Sequence, residues 1–212
     1  MLTLARKIVT AARLLRDGRG DELRYRLWNR WKGIELGFVS VQDLDLPVDR
    51  AHGHGSSGGP GLARVFEHVG VPPGSVIVDL GSGKGGAALT LSGLGFDQVI
   101  GVELSAALVE IARRNATRLR LRNVRFIQAD AAAFHELDRV THVYMFNPFP
   151  AEVMATVMVN LRASLARLPR TLTLVYVNPA YAGVVEESGL FESGAEGRLD
   201  EHVWRVYRTR SG

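Results

Sequence analysis

VIVDLGSGKGG, residues 76–86, sets an apolar run directly against a cluster of glycines. Val76, Ile77 and Val78 are β-branched and read as a buried strand. The run ends at Asp79-Leu80, and Gly81, Gly83, Gly85 and Gly86 follow at once. GGAALTLSGLG then reads as a helix closed by Gly95. Strand, glycine turn and helix in that order make the first unit of an open α/β sheet, where ligands lie beyond the carboxyl ends of the strands. Gly81 suits a tight turn, and Gly83 and Gly85 let backbone approach a ligand closely. The helix start near residue 86 points free N–H groups into the same space.

Outward from this unit the pattern alternates. A helix, LARVFEHVG, precedes it. QVIGVE, VRFIQAD, VTHVYMF and TLTLVYV read as further strands. Between them lie a helix capped by Ser105, a short helix at AAAFHEL and a long helix over 151–167; a last helix is expected near 180–188. Two final strands, around Phe191 and at HVWRVYR, sit too close for a crossover and should pair antiparallel. The expected fold is α/β: a Rossmann-like, doubly wound, seven-stranded sheet, mostly parallel with an antiparallel edge hairpin. Upstream, residues 4–16 and 21–32 read as amphipathic helices. Leu23, Leu27, Trp28 and Trp31 fall on one side of the second, where packing is the expected use. The Gly/Ser-rich AHGHGSSGGPG, residues 51–61, is a connector, which predicts a helical arm or lid at 1–55 and a domain at 56–212.

Composition narrows the class. The apolar fraction of 46% suffices for one core, and no apolar run reaches the length of a membrane span. Charges interrupt the first sixteen residues, which argues against a secretory signal. With no cysteine there is no disulfide and no thiolate site, and a cytoplasmic location is expected. The net charge of +4 is uneven: nine Lys/Arg face three acids in residues 1–32, and six arginines crowd Arg113–Arg125. Arginine outnumbers lysine 23 to 3 throughout, so a solvated, arginine-biased surface is the expected reading, with an anionic partner such as RNA, a membrane surface or a phosphorylated sugar as the competing one.

Three ligands suit such a glycine loop. A P-loop needs Gly-Lys-Ser/Thr, and Gly83-Lys84-Gly85 lacks the hydroxyl. The dinucleotide pattern is present as Gly81, Gly83 and Gly86, with Glu103 about twenty residues on for a ribose. Asp79 breaks the tie. Its carboxylate would repel a pyrophosphate but attract the ammonium and sulfonium of S-adenosylmethionine (SAM).

The motifs in sequence then resemble the class I SAM-dependent methyltransferases. VDLGSGKG is similar to their first motif. VIGVELS resembles their second strand, FIQADAAAF the third and VYMFNPFP the fourth, over roughly residues 61–180. The resemblance implies a ribose acid at Glu103 beside Leu104, and an adenine contact at Asp130 beside Ala131. It also implies that Asn147 lies near the methyl group, with Asp79, Gly81, Ser82, Gly83 and Gly85 around the amino-acid end. The layout is also similar to small bacterial methyltransferases of polysaccharide or glycolipid modification, which makes a sugar hydroxyl the leading acceptor.

The fourth motif, Asn147-Pro148-Phe149-Pro150, departs from the N-P-P-Y/F of amino-methylating relatives. Asn178-Pro179 closes the next strand, so Asn147, Phe149, Asn178 and Tyr181 are expected around one acceptor cavity. O-methylation needs a base near neutral pH. His52 and His54, on the connector, are the candidates. His68 and His135 are expected on outer faces, and His142 at the far end of its strand. Two histidines are too few to hold a metal, and a magnesium ion held through sugar oxygens is left open. A small-molecule acceptor and a homodimer contact through the arm are expected; RNA or protein N-methylation and a non-catalytic SAM-binding module are the alternatives.

Overall fold

The structure, a computed structural model, describes residues 12, 14–37, 57–199 and 201–210. Its centre is one seven-stranded sheet in the order β3-β2-β1-β4-β5-β7-β6. The strands are β1 (Val76–Leu80), β2 (Gln98–Glu103), β3 (Val124–Gln128), β4 (His142–Phe146), β5 (Thr173–Val177), β6 (Phe191–Leu199) and β7 (His202–Thr209). The first five pair in parallel, and β7 runs antiparallel between β5 and β6. The helices are α1 (Gly20–Trp31), α2 (Pro60–Val69), α3 (Gly86–Leu91), α4 (Ala106–Arg118), α5 (Ala151–Arg167) and α6 (Ala182–Glu187). Where a short helix is expected after β3, only a 3-10 turn forms, at Ala131–Ala133.

Both faces of the sheet are covered, which is why its strands read as near-continuous apolar runs. Leu62 and Phe66 of α2, Leu91 of α3 and Ala112 of α4 pack with Ile77 and Tyr144 on one face. Met154 and Leu161 of α5 and Val185 of α6 pack with Val78 and Met145 on the other. Side chains alternate between the faces along each strand, so Asp79 falls on the α2–α4 side with its register partner Tyr144.

The arm is tied to that side. Asp21 of α1 pairs with Arg64 of α2, and Ile34 joins the core. Asn115 of α4, fully buried, holds the chain after α1: its Oδ1 accepts from Glu35 N at 3.0 Å and its Nδ2 donates to Glu35 O at 3.0 Å. The expected packing of the α1 apolar stripe does not occur. Leu27 is 58% exposed, Trp28 42% and Trp31 76%, because α1 turns Glu22 and Asn29 inward instead.

Candidate functional site

β1 ends in the glycine loop, and the loop turns back on β2. Gly81 N and Ser82 N both donate to Val102 O, at 2.9 and 3.0 Å. Gly81, at φ 79°, has no room for a side chain: a Cβ would sit 2.3 Å from Pro148 Cβ, so this glycine seats the loop against the end of β4. Gly85, at φ 83°, has a second reason to be bare. A Cβ there would meet the Phe126 ring at 2.6 Å, so its bare backbone also accommodates β3.

Glu103, at the tip of β2, is buried and accepts from Gly83 N at 2.8 Å and Ser105 N at 2.9 Å, one bond to each carboxylate oxygen. Each oxygen keeps a further lone pair for a hydroxyl donor. Burial raises its pKa, against the pull of the backbone N–H groups. Asp79 is 2% exposed, and burial together with the Glu103 charge pushes its carboxyl up to about 8. Asp79 Oδ2 and Ser82 Oγ are buried with no hydrogen-bond partner among the described residues. Orphaned polar atoms at a ligand loop are what a cationic, hydrogen-bonding ligand would satisfy, and this observation fits the amino-acid end of SAM. Lys84 is buried and bonds Glu35 of the arm at 2.9 Å; Asn115 Nδ2 donates to its carbonyl at 3.1 Å.

Along the same rim, Leu104 is half-buried beside Glu103. Asp130 and Ala131 are half-buried after β3, where Asp130 Oδ1 accepts from Ala132 N at 2.8 Å and caps the 3-10 turn. At the ends of β4 and β5 the two Asn-Pro exits share a rare conformation: Asn147 has φ 38° and Asn178 φ 50°. Left-handed backbone in a residue before proline is strained, and such strain gathers at functional sites. The Tyr176 hydroxyl joins the two exits, donating to Asn147 Oδ1 at 3.5 Å and accepting from Tyr181 N at 3.3 Å. Burial pushes that hydroxyl up to about 12, so it stays protonated. Phe149, expected to line the cavity, is 3% exposed and packs in the α5-side core.

The histidines divide clearly. His52 and His54 lie outside the described residues. His142 sits at the amino end of β4, bonded to Thr141 Oγ1 at 2.9 Å, and burial pushes it down to about 4. His68 faces Trp204, and His135 is exposed. His202, for which the sequence suggested no role, opens β7 with its ring 4.9 Å from Phe146 and edge-on to it. Its Nε2 lies 3.9 Å from the Glu201 carboxylate. The signal for it was available: the first residue of an antiparallel strand beside β5 stands at the carboxyl end of β5, next to Asn178, whose N–H donates to Val203 O at 2.7 Å.

Comparison with known proteins agrees with this geometry. Residues 77–168 match the model of a methyltransferase domain family. The chain is 31% identical over 102 residues to a protein-L-isoaspartate O-methyltransferase of Thermotoga maritima, covering 47% of this chain and 32% of that protein. It is 32% identical over 104 residues to a ribosomal protein L11 methyltransferase of Caldanaerobacter subterraneus, covering 49% and 32%. The chain thus spans about a third of the length of these curated relatives. Among solved structures, a SAM-dependent methyltransferase from Aquifex aeolicus superposes with a TM-score of 0.58 at 16% identity, over 69% of this chain and 88% of that one. An RNA methyltransferase from Salinibacter ruber, in complex with S-adenosylhomocysteine, gives 0.54 at 21%, over 72% and 92%. The fold, the glycine loop and the family match point the same way: residues 77–168 match a methyltransferase domain, and the sheet has the fold of SAM-dependent methyltransferases.

Proposed function

We propose that this protein transfers a methyl group from SAM to a hydroxyl of a small polar acceptor, a saccharide being the leading class. The observation that carries the reading is the corner formed by the ends of β4, β5 and β7. It gathers Asn147, the Tyr176 hydroxyl, Tyr181 and His202, and it lacks the second proline of the amino-methylating motif. Carboxamides and hydroxyls suit a hydroxylated ligand, and an imidazole is the side chain suited to deprotonate it near neutral pH. SAM supplies an electrophilic methyl group on a sulfonium.

The chain's own residues supply the rest. Asp79 and Ser82 would hold the ammonium end, Glu103 the ribose hydroxyls, and Leu104, Asp130 and Ala131 the adenine edge. Asn147 would border the reacting centre, while Asn178 and Tyr181 orient the acceptor. His202 takes the proton and passes it to solvent at its exposed edge, with Glu201 stabilising the imidazolium. The methyltransferase domain spans 56–212, with the arm of residues 1–55 ahead of it. Alignment of acceptor and donor provides much of the acceleration.

The test is transfer of labelled methyl from SAM across a panel of saccharides, an RNA pool and a ribosomal-protein fraction. Methylated saccharide is expected. His202→Gln should lower turnover by about 10²–10⁴-fold and leave SAM affinity unchanged. Labelled RNA or protein with no labelled saccharide overturns the acceptor class.

A further inference from the structure

The outer face of α1 carries the most unusual surface of the described chain. Six large apolar side chains are exposed among the described residues, and four lie between positions 15 and 31: Leu15 at 61%, Leu27 at 58%, Trp28 at 42% and Trp31 at 76%. Leu27 and Trp31 stand one turn apart on the same stripe. Scattered exposed apolar residues are ordinary, but a continuous patch marks an interaction surface.

Its surroundings are basic. Arg24 and Arg30 flank the stripe and are exposed. Lys32 Nζ sits 4.4 Å over the Trp31 ring. Trp28 and Lys32 continue into a groove of about 600 Å³ that Arg118 and Arg120 also line. The acids of this region are turned aside: Asp21 pairs with Arg64, Glu22 is buried and bonds Arg26 at 2.8 Å, and Asp17 bonds Arg16 at 3.1 Å. The helix thus shows leucine and tryptophan framed by arginine and lysine on one side, and meets the domain with its other side.

We propose that α1 docks the protein on an anionic lipid surface, with the Leu27–Trp31 stripe in the headgroup boundary and the basic flanks on lipid phosphates. An amphipathic helix of this composition lies in the plane of the interface, and its attraction has an apolar and an electrostatic part. Charge argues against a second copy of the chain, since a two-fold contact would set Arg24, Arg30 and Lys32 against their own images. RNA shares the phosphate chemistry, but Leu15 and Leu27 offer a nucleic acid neither a stacking plane nor a hydrogen bond.

The full chain is mixed with phosphatidylcholine vesicles, with and without about one-third phosphatidylglycerol, and co-sedimentation is measured. Binding to the anionic vesicles is expected, with tryptophan emission shifting to shorter wavelength. Trp204 is 5% exposed, so the shift reports Trp28 and Trp31. Raising salt should release the protein. Leu27→Ser with Trp31→Ser should cut partition at least tenfold at unchanged SAM affinity and melting temperature, since both positions are exposed. Equal binding to neutral vesicles, binding retained by the double variant, or no binding at all overturns the proposal. So does binding of an RNA oligonucleotide, or a dimer in sedimentation, that the double variant abolishes while vesicles go unbound.

Discussion

Asp79 has its own pH dependence. Its carboxyl stands at about 8 in the fold against an ordinary 3.8, so between those values the folded protein holds a proton that the unfolded chain has lost. It therefore contributes stability that is fully present below about pH 4 and lost as the pH rises to about 8. A cation at the site favours the charged carboxylate, so SAM binding should release a proton below about pH 8. Affinity should rise with pH by at most tenfold per unit and level off above that point. Calorimetry in buffers of differing ionisation enthalpy measures the released proton, and Asp79→Asn should abolish both effects. For Glu103, a charge-assisted bond contributes about 1.5–3 kcal/mol. Glu103→Ala should weaken SAM binding by roughly 10- to 100-fold in the same experiment; an unchanged affinity would place the residue outside the site. Asp79 and Glu103 were readable as candidates, one acid just before the glycine loop and one about twenty residues on, and they stand near the carboxyl ends of β1 and β2. His202 needed a further step: HVWRVYR alone does not say which strand end carries the ligand, and only its antiparallel placement beside β5 brings the residue to that rim.

Among the elements, the strands and helices that follow the period rules appear where those rules put them, as QVIGVE does at Gln98–Glu103 and the long helix at Ala151–Arg167. The departures have local causes. AAAFHEL yields one 3-10 turn because the Asp130 carboxylate caps only Ala132, and Phe134 then leaves the helical path at φ −85°, ψ 119° to reach the core. The α1 stripe reads as core because its period is right; only the tertiary contacts of Glu22 and Asn29 show that the polar side faces inward. Asn115 reads as an ordinary position in an arginine-rich helix, yet it is the pin between α4, the arm and the glycine loop. Asn115→Ala would leave the Glu35 backbone and the Lys84 carbonyl without this partner, at a cost of about 2–4 kcal/mol for lost bonds plus a small cavity. A melting curve should show the loss, and SAM affinity should fall with it as Lys84 loosens. An unchanged melting temperature would mean that water replaces the amide.

For the whole molecule, the sheet order matters most. The tail forms the expected edge hairpin: β6 and β7 pair antiparallel at one edge of the sheet, with β7 between β5 and β6. It buries Trp204, Val206 and Tyr207 on the way. Replacing Val206 by Asp would set a charge in that layer, and the protein should be recovered only as aggregate; soluble, SAM-binding Val206→Asp would show that the hairpin is dispensable. The same order constrains synthesis. A chain emerging from the ribosome can close the five parallel strands as it appears, but β6 has no partner until residues 202–209 are out. Until then the free edge of β5 and an unpaired β6 are both open to other chains. The interval between the emergence of β5 and that of β7 is thus the exposed one in the life of this protein, and slowing it should raise its demand on chaperones more than slowing any earlier stretch.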